Sequence, residues 1–505
     1  MSKELGRKAL LGTLTTGLGS LGGFAVRFVV NAIIARQVEA VDLGEFTMAM
    51  AEAELIGLLG SFSFPQALVQ LEDRYEKLPG TVLAMSVTLT VALFLVSLAV
   101  WPFVAAAHGD AVGHVFIAMA AARVLAVTNE TLLSGQMRRF HYHRAAMIQF
   151  LSVAAGSALA LVVAYVAPGP FVYVVRDAGP PALVTFAVGG WALLFDRRRT
   201  FGFDREAARA VWQLGRSLFT TRLVEVLYAR IDQLVVGAIA GKDALGYYQQ
   251  ARYLSGLPGA AMGPVINGVG LRTFAALHDD PRRQGRVFEL TQLVITRAML
   301  AAAVATAVGG DLIVRVVLGP KWEPAGALLQ WSAGLMLLMM LGQNLRVALI
   351  AMRDFRPVWL GQIVAAAVLA AACLGLGLWL DALGAVIATT LAWAAYLVIL
   401  VRGLPRHLVV NPRHYLVTLA LGTVAIGAGL AVRAALPASV ARAPSALLGT
   451  AVALAAYVTA TWALEGKMLR AELRYVRDVA RRGPATAAAA AEPTPDAGDN
   501  NDDSA

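Results

Sequence analysis

Long apolar runs, broken at short intervals by basic clusters, dominate the chain from residue 10 to residue 464. A helix needs roughly 20 mostly apolar residues to cross a bilayer. Runs of that length predict spans over 10–35, 43–70, 79–107, 112–134, 145–167, 178–195, 211–240, 244–274, 288–318, 325–352, 358–380, 383–403, 414–436 and 444–464. The shortest, 178–195, opens at Gly179-Pro180-Pro181. The pattern therefore predicts an all-α polytopic membrane protein with about fourteen transmembrane helices.

The connections support that count. When they are assigned alternately to the two sides, starting inside, one set holds about 28 basic residues and the other about 5, a strong positive-inside bias. The inside set includes Arg138, Arg139, Arg197, Arg198, Arg199, Arg282, Arg283, Arg402 and Arg406. The outside set is Arg36, Arg176, Lys242, Lys321 and Arg442. A missed or extra central helix would invert the parity and erase the bias. Both termini are thus expected in the cytoplasm, with the protein multi-pass in a bacterial inner membrane. The outside connections are short; the longest, Pro168 to Pro181, has no room for a folded domain. Lys3, Arg7 and Lys8 precede an apolar stretch too long for a signal-peptide core, so it reads as a retained first helix.

The 505 residues are 58% hydrophobic and 15% charged, against about 25% charged in soluble domains. The net charge of +10 is accounted for by topology and not by nucleic acid. The lone Cys373 lies in an apolar run and reads as a packing residue. No Cys/His zinc spacing and no Gly-rich phosphate loop occurs, so neither a metal nor another cofactor is expected. His141-Tyr142-His143 reads as a loop feature, because all seven histidines fall in loops or at helix ends.

A second regularity is internal. A shift that carries Asp42-Leu43-Gly44-Glu45-Phe46 onto Ala244-Leu245-Gly246-Tyr247-Tyr248 also carries Ala49 onto Ala251, Leu55 onto Leu257 and Gly57 onto Gly259. Six expected helices intervene, so the two halves point the same way, an architecture of transporters. This divides the chain into an N-terminal lobe (1–200), a C-terminal lobe (201–405), two additional helices (406–465), a basic amphipathic helix for the anionic inner leaflet (466–482) and a disordered tail (483–505). The second and eighth helices both carry Gly/Pro interruptions: Gly57, Gly60 and Pro65 in one, Pro258, Gly259, Gly263 and Pro264 in the other.

Charges inside spans are costly, about 2.5–3.5 kcal/mol each at the bilayer centre on insertion scales, and so face a cavity or a partner. Helix 7 holds Arg222, Glu225, Arg230 and Asp232 within one half of its circumference. Arg27 and Asn31 share a face of helix 1. Arg123 lies on helix 4 with Glu130, and Arg252 follows Gln249 and Gln250 on helix 8. At most one of Glu52 and Glu54 faces the same space. Arg27, Asn31, Arg123, Arg222, Glu225, Arg230, Asp232 and Arg252 are the candidate lining of a cationic central cavity. Arginine there suits an anionic substrate such as a diphosphate, which it binds bidentately. Salt bridging that only fixes the bundle is the competing reading.

The stretch Arg230-Ile231-Asp232-Gln233-Leu234-Val235-Val236-Gly237, then Leu245-Gly246-Tyr247-Tyr248-Gln249-Gln250-Ala251, resembles polysaccharide transporters of the O-antigen and exopolysaccharide flippase type. These belong to the multidrug/oligosaccharidyl-lipid/polysaccharide exporter superfamily. Gly22-Gly23 through Ala35-Arg36 and Leu43-Gly44-Glu45-Phe46 carry the same resemblance. It implies two six-helix lobes in parallel repeat plus two extra helices around a cationic cavity. It implies a non-enzymatic flippase that moves an undecaprenyl-diphosphate-linked oligosaccharide across the inner membrane, with Arg27 and Arg252 as head-group ligands. The partners implied are the polyprenyl diphosphate substrate, membrane lipids, and the polymerase and glycosyltransferases of polysaccharide assembly. A drug antiporter on the same fold and a membrane enzyme of polysaccharide assembly are the alternatives. The second lacks the large external loop a polymerase or ligase would carry.

The topology is directly testable. Reporter fusions after residues 140, 200, 280 and 410 are expected to score cytoplasmic, and fusions near 40, 110, 242 and 322 periplasmic. A periplasmic signal at 200 or 280 would break the parity.

Overall fold

The computed structural model describes residues 22–482, except 72–76, 139–141, 185–201, most of 267–279, 406–407, 409–411 and 438–441. Among the described residues it is helix joined by short turns. Residues 22–37 form α1, followed by α2 (Ala40–Ser61), α3 (Phe64–Gln70), α4 (Leu78–His108), α5 (Asp110–Arg138), α6 (Tyr142–Val166) and α7 (Phe171–Val184). Then come α8 (Arg205–Ile239), α9 (Gly241–Val265), α10 (Pro281–Val317), a 3₁₀ turn Pro320–Trp322, α11 (Glu323–Trp331), α12 (Ala333–Ala351), α13 (Arg356–Arg402), α14 (Pro412–Ala435) and α15 (Arg442–Arg482). Eight of these helices are long and apolar enough to cross a membrane. The chain is an all-α, multi-pass membrane protein.

Two of the eight, α13 and α15, are broken within their length. A straight helix of 47 residues would reach about 70 Å, more than twice a hydrocarbon core. At Asp381 the α13 backbone turns to φ 49, ψ −131, and Gly384 lies so close to the Leu376 carbonyl that a Cβ would come within 2.3 Å of it. At the far ends, a Cβ on Gly403 would meet Pro357 at 2.4 Å. So α13 is a hairpin that supplies both expected spans, 358–380 and 383–403. In α15 the break is at Glu465 (φ −125, ψ 21), where the span gives way to the basic segment. The expected interruption near Pro65 appears as consecutive left-handed residues Phe62 and Ser63 between α2 and α3, with Pro65 in the first turn of α3. In α9 the helix continues through Pro258 and Gly259 to Val265.

One expected boundary is corrected. The sixth helix begins at Phe171, not at 178, and Gly179-Pro180-Pro181 lies within it. The connection before it shrinks to residues 167–170, and Arg176 becomes a helical residue. The prolines are accommodated by packing: Gly156 of α6 sits against Pro180, so close that a Cβ would come within 2.6 Å of the ring. Residues 185–195 of that expected helix, the N-terminal half of the first and the tail from 483 lie outside the described residues.

The chain forms two compact units. The first comprises Met1–Pro264, Gly309–Met336 and Trp359–Tyr396. The second comprises Val265–Val308, Leu337–Val358 and Leu397–Ala505.

Within the first unit, α2 and α9 approach each other closely at two glycines. A Cβ on Gly44 would stand 1.9 Å from the Lys242 carbonyl oxygen, and a Cβ on Gly246 would stand 2.0 Å from the Ala40 carbonyl oxygen. These contacts are interchanged by the shift found in the sequence: Gly44 maps onto Gly246 and Ala40 onto Lys242. The buried positions follow the same rule, with Leu43 and Leu245, Phe46 and Tyr248, and Ala49 and Ala251 all at most 3% exposed. The positions aligned by the shift thus meet in a local two-fold contact. Small residues permit this approach, as at many membrane helix crossings.

Replacing either Gly44 or Gly246 by Ala puts a methyl group on a backbone carbonyl and forces the helices apart. Each change is expected to cost about 1–3 kcal/mol and lower the melting temperature of the purified protein, with the double variant worse. Unchanged melting in both would show that the crossing is looser than described.

Candidate functional site

The crossing of α2 and α9 brings polar side chains of α1, α2, α7, α8 and α9 together inside the first unit. They form three hydrogen-bonded chains. In the first, Arg176 clasps its neighbour Asp177 at 2.8 and 3.2 Å and donates through Nη1 to Asn31 Oδ1 at 2.9 Å. Asn31 donates in turn to Gln250 Oε1 at 3.0 Å. The Arg176 guanidinium also lies over the Tyr173 ring, 4.9 Å from its centroid. In the second, Arg230 donates to Glu54 Oε2 at 2.7 Å and to Gln233 Oε1 at 2.9 Å, and Gln233 reaches Gln249 at 3.1 Å. In the third, Asp232 is buried at 1% exposure and accepts from Arg252 Nη1 at 2.7 Å and Tyr248 Oη at 2.6 Å. Arg252 also donates to the Ala229 carbonyl at 3.2 Å.

Local sequence explains why these groups meet. Asp204 caps α8, accepting from the amides of Glu206 and Ala207, and so fixes where that helix starts. From there Arg230 and Asp232 point to different neighbours, because residues two apart on a helix do not share a face. On α7, Pro180 and Pro181 supply no N–H to the carbonyls of Arg176 and Asp177, which would be their helical partners four residues back. The most polar stretch of α7 thus has freed backbone acceptors beside its charged pair.

Next to Glu54 and Asp177 lies a cavity of about 150 Å³, lined by Glu54, Arg123, Asp177, Met50, Met119 and small alanines. Arg123 crosses α2 at Gly57, where an added Cβ would come within 3.1 Å of its side chain. The buried Nε of Arg123 has no hydrogen-bond partner. Arg27 and Arg230 both act electrostatically on Asp177. Among the described residues, neither Arg27 nor Arg123 has an ion-pair partner. Four guanidinium groups, Arg27, Arg123, Arg176 and Arg230, thus surround two carboxylates, Glu54 and Asp177. Such an excess of positive charge attracts an anion.

The structure places the sequence-predicted residues as follows. Arg27, Asn31, Arg123 and Arg230 join the cluster. Asp232 and Arg252 form their own buried pair. Glu225 is half-buried on α8, with polar contacts of its own, and the side chain of Arg222 lies outside the described set. Arg176, Asp177, Gln233 and Tyr248 were not anticipated. Arg176 and Asp177 were hidden by reading Gly179-Pro180-Pro181 as the start of a helix. Glu54, one of two alternatives on α2, is the one that meets Arg230 of α8; Glu52 pairs instead with His108 at 3.1 Å.

Comparison with known proteins decides the family. Residues 33–327 match the family model described as "Polysaccharide biosynthesis protein". The chain belongs to this family. Curated relatives include the amylovoran biosynthesis protein AmsL of Erwinia amylovora, 31% identical over 132 residues, which are 26% of this chain and 34% of that one. Another is the succinoglycan biosynthesis transport protein ExoT of Rhizobium meliloti, 22% identical over 328 residues, 63% of this chain and 65% of that one. The chain thus spans between about a third and two thirds of these relatives' length. Among solved structures, the lipid II flippase MurJ in an inward closed conformation superposes with a TM-score of 0.72 at 11% identity, covering 91% of this chain and 100% of that one. An inward-facing multidrug resistance MATE family transporter of the MOP superfamily gives a TM-score of 0.51 at 13% identity, covering 82% and 94%. The fold of this family member is that of these membrane transporters.

The Asp232–Arg252 pair makes a clean structural test. Arg252→Leu strands a carboxylate that is 1% exposed, at an expected cost of about 3 kcal/mol, and lowers the amount of folded protein. Adding Asp232→Leu is expected to restore abundance. Equal abundance of the single variant and the parent would show that the pair does not hold the helices.

Proposed function

We propose that this protein is a non-enzymatic flippase, moving a polyprenyl-diphosphate-linked oligosaccharide across the bacterial inner membrane for cell-surface polysaccharide assembly. The observation that carries the reading is the positive surplus beside the cavity of the first unit: Arg27 and Arg123 lie near carboxylates already engaged by Arg176 and Arg230. A diphosphate brings oxygens that a guanidinium binds in pairs. The family, the transport name of ExoT and the fold shared with MurJ support the same substrate class. In this reading Arg27 and Arg123 are the primary head-group ligands. Arg230 and Arg176 exchange a carboxylate for phosphate as the substrate enters, Asn31 orients Arg176, and Asp232 positions Arg252. Arg222 and Glu225, on the same helix as Arg230, complete the polar lining. Fourteen spans in two lobes, 1–200 and 201–405, with both termini cytoplasmic, are part of the proposal. The same surplus speaks against a cationic drug as substrate.

The test is transport of a defined polyprenyl-diphosphate glycan in proteoliposomes, normalised to inserted protein. Arg123→Ala and Arg27→Ala are each expected to reduce substrate affinity roughly tenfold to hundredfold, the range of one charge-assisted hydrogen bond. Lysine at either position keeps the charge without the fork and recovers part of the loss. A double Arg27→Ala/Arg123→Ala variant with the parent's rate per molecule would refute the ligand role.

A further inference from the structure

The second unit contains a buried charge group that the flippase reading does not use. Arg297 on α10 is 6% exposed. Its Nη2 donates to Glu465 Oε2 at 2.6 Å and its Nη1 to Glu472 Oε1 at 2.5 Å. Glu465 stands at the break in α15, and Glu472 lies about two turns beyond it, past the end of the span. From α14, Thr418 Oγ1 lies 3.2 Å from Glu465 Oε2 and donates to it, and His414 Nδ1 lies 3.6 Å from its other oxygen. Tyr457 Oη donates to the Arg297 carbonyl at 3.3 Å. Two further polar atoms are buried without a hydrogen-bond partner among the described residues: Arg297 Nε and Tyr415 Oη. Tyr415 lies within electrostatic range of Glu472, Glu289 and Arg297.

The charges do not balance. One guanidinium serves two carboxylates, whose side chains are 7% and 4% exposed. A second buried negative charge without a counterion is expensive, and the group avoids it by taking up a proton. A metal cation is a poor substitute, because the guanidinium fills the space between the two carboxylates and repels it. His414, about a third exposed, is the group of the cluster most open to solvent.

We propose that the Arg297–Glu465–Glu472 cluster is a proton-binding site, and that its proton fastens the segment of α15 beyond Gly466 to α10. Among the described residues of that segment, Glu472 is the side chain that reaches the cluster, and its neighbour Leu473 is 54% exposed. Burial pushes the Glu472 carboxyl up to about 7, against the opposing pull of Arg297. The docked state therefore binds the proton more tightly than the released one. The resulting stabilisation is complete below the ordinary glutamate value of 4.5 and is lost as pH rises through about 7. This does not depend on what the protein transports.

Hydrogen exchange on the full-length protein in lipid nanodiscs tests this, with rates corrected for the intrinsic effect of pH. Amides of residues 467–482 are expected to be protected at about pH 6 and to lose about tenfold or more of that protection by about pH 8.5. Glu472→Gln, permanently neutral and the same shape, is expected to keep the protection at both values. Glu465→Gln leaves one carboxylate for one guanidinium and is expected to remove the pH dependence by a second route. Glu289→Gln is expected to behave like the parent. An infrared carboxyl band that titrates near neutrality in the parent and is missing in Glu472→Gln would identify the proton itself. The proposal is overturned if protection in the parent does not change with pH, if the change survives in Glu472→Gln, or if protection follows sodium concentration at fixed pH.

Discussion

The crossing of α2 over α9 is the constraint on which the first unit depends. Two glycines let the backbones approach to a distance no side chain would allow, and from that point the geometry of both helices is set. Asn31 reaches Gln250, Arg230 of α8 reaches Glu54, and Lys242 reaches Glu45 at 2.9 Å because the helix starts are pinned together. In a membrane, where lipid is as apolar as any leucine, close packing of this kind and interhelical hydrogen bonds replace the hydrophobic drive that holds soluble bundles.

Pairing divides the intramembrane charges into two kinds. Asp232 and Arg252 are paired with each other within the protein, and removing one member strands the other. Among the described residues Arg27 and Arg123 have no carboxylate of their own, and Arg123 lines the cavity. The distinction matters because an arginine held by a dedicated carboxylate must give up that partner before it can bind anything else, whereas an unpaired one need not.

Much of this was legible in the sequence, for physical reasons. Apolar run length and the arginine bias track the bilayer itself, so α4, α5 and α6 begin and end within a few residues of where the runs predict. The repeat was legible because Gly44 and Gly246 occupy equivalent places in one close crossing. Partner choice was not legible. Helical periodicity put Arg230 and Asp232 on one half of α8, yet they serve different neighbours, and only the tertiary arrangement decides which. The start of α7 was misread because Gly-Pro-Pro is a helix breaker in water; in a packed bundle, Gly156 gives the proline ring a seat and the chain stays helical. Glu465 and Glu472 sat among basic residues at the end of the last span, where a carboxylate looks like an ordinary surface charge.

The two-fold contact between α2 and α9 also carries a history. A half-length ancestor that paired with itself through this crossing would have made the same contact twice, so every substitution in it would have been felt on both sides at once. Joining the halves into one chain removes that coupling. The Glu45–Lys242 ion pair is what such freedom permits: its counterpart under the repeat is Tyr247 against Ala40, with no charge at all. One side of a symmetric crossing has become ionic and the other has stayed neutral, a difference that no homodimer could have encoded.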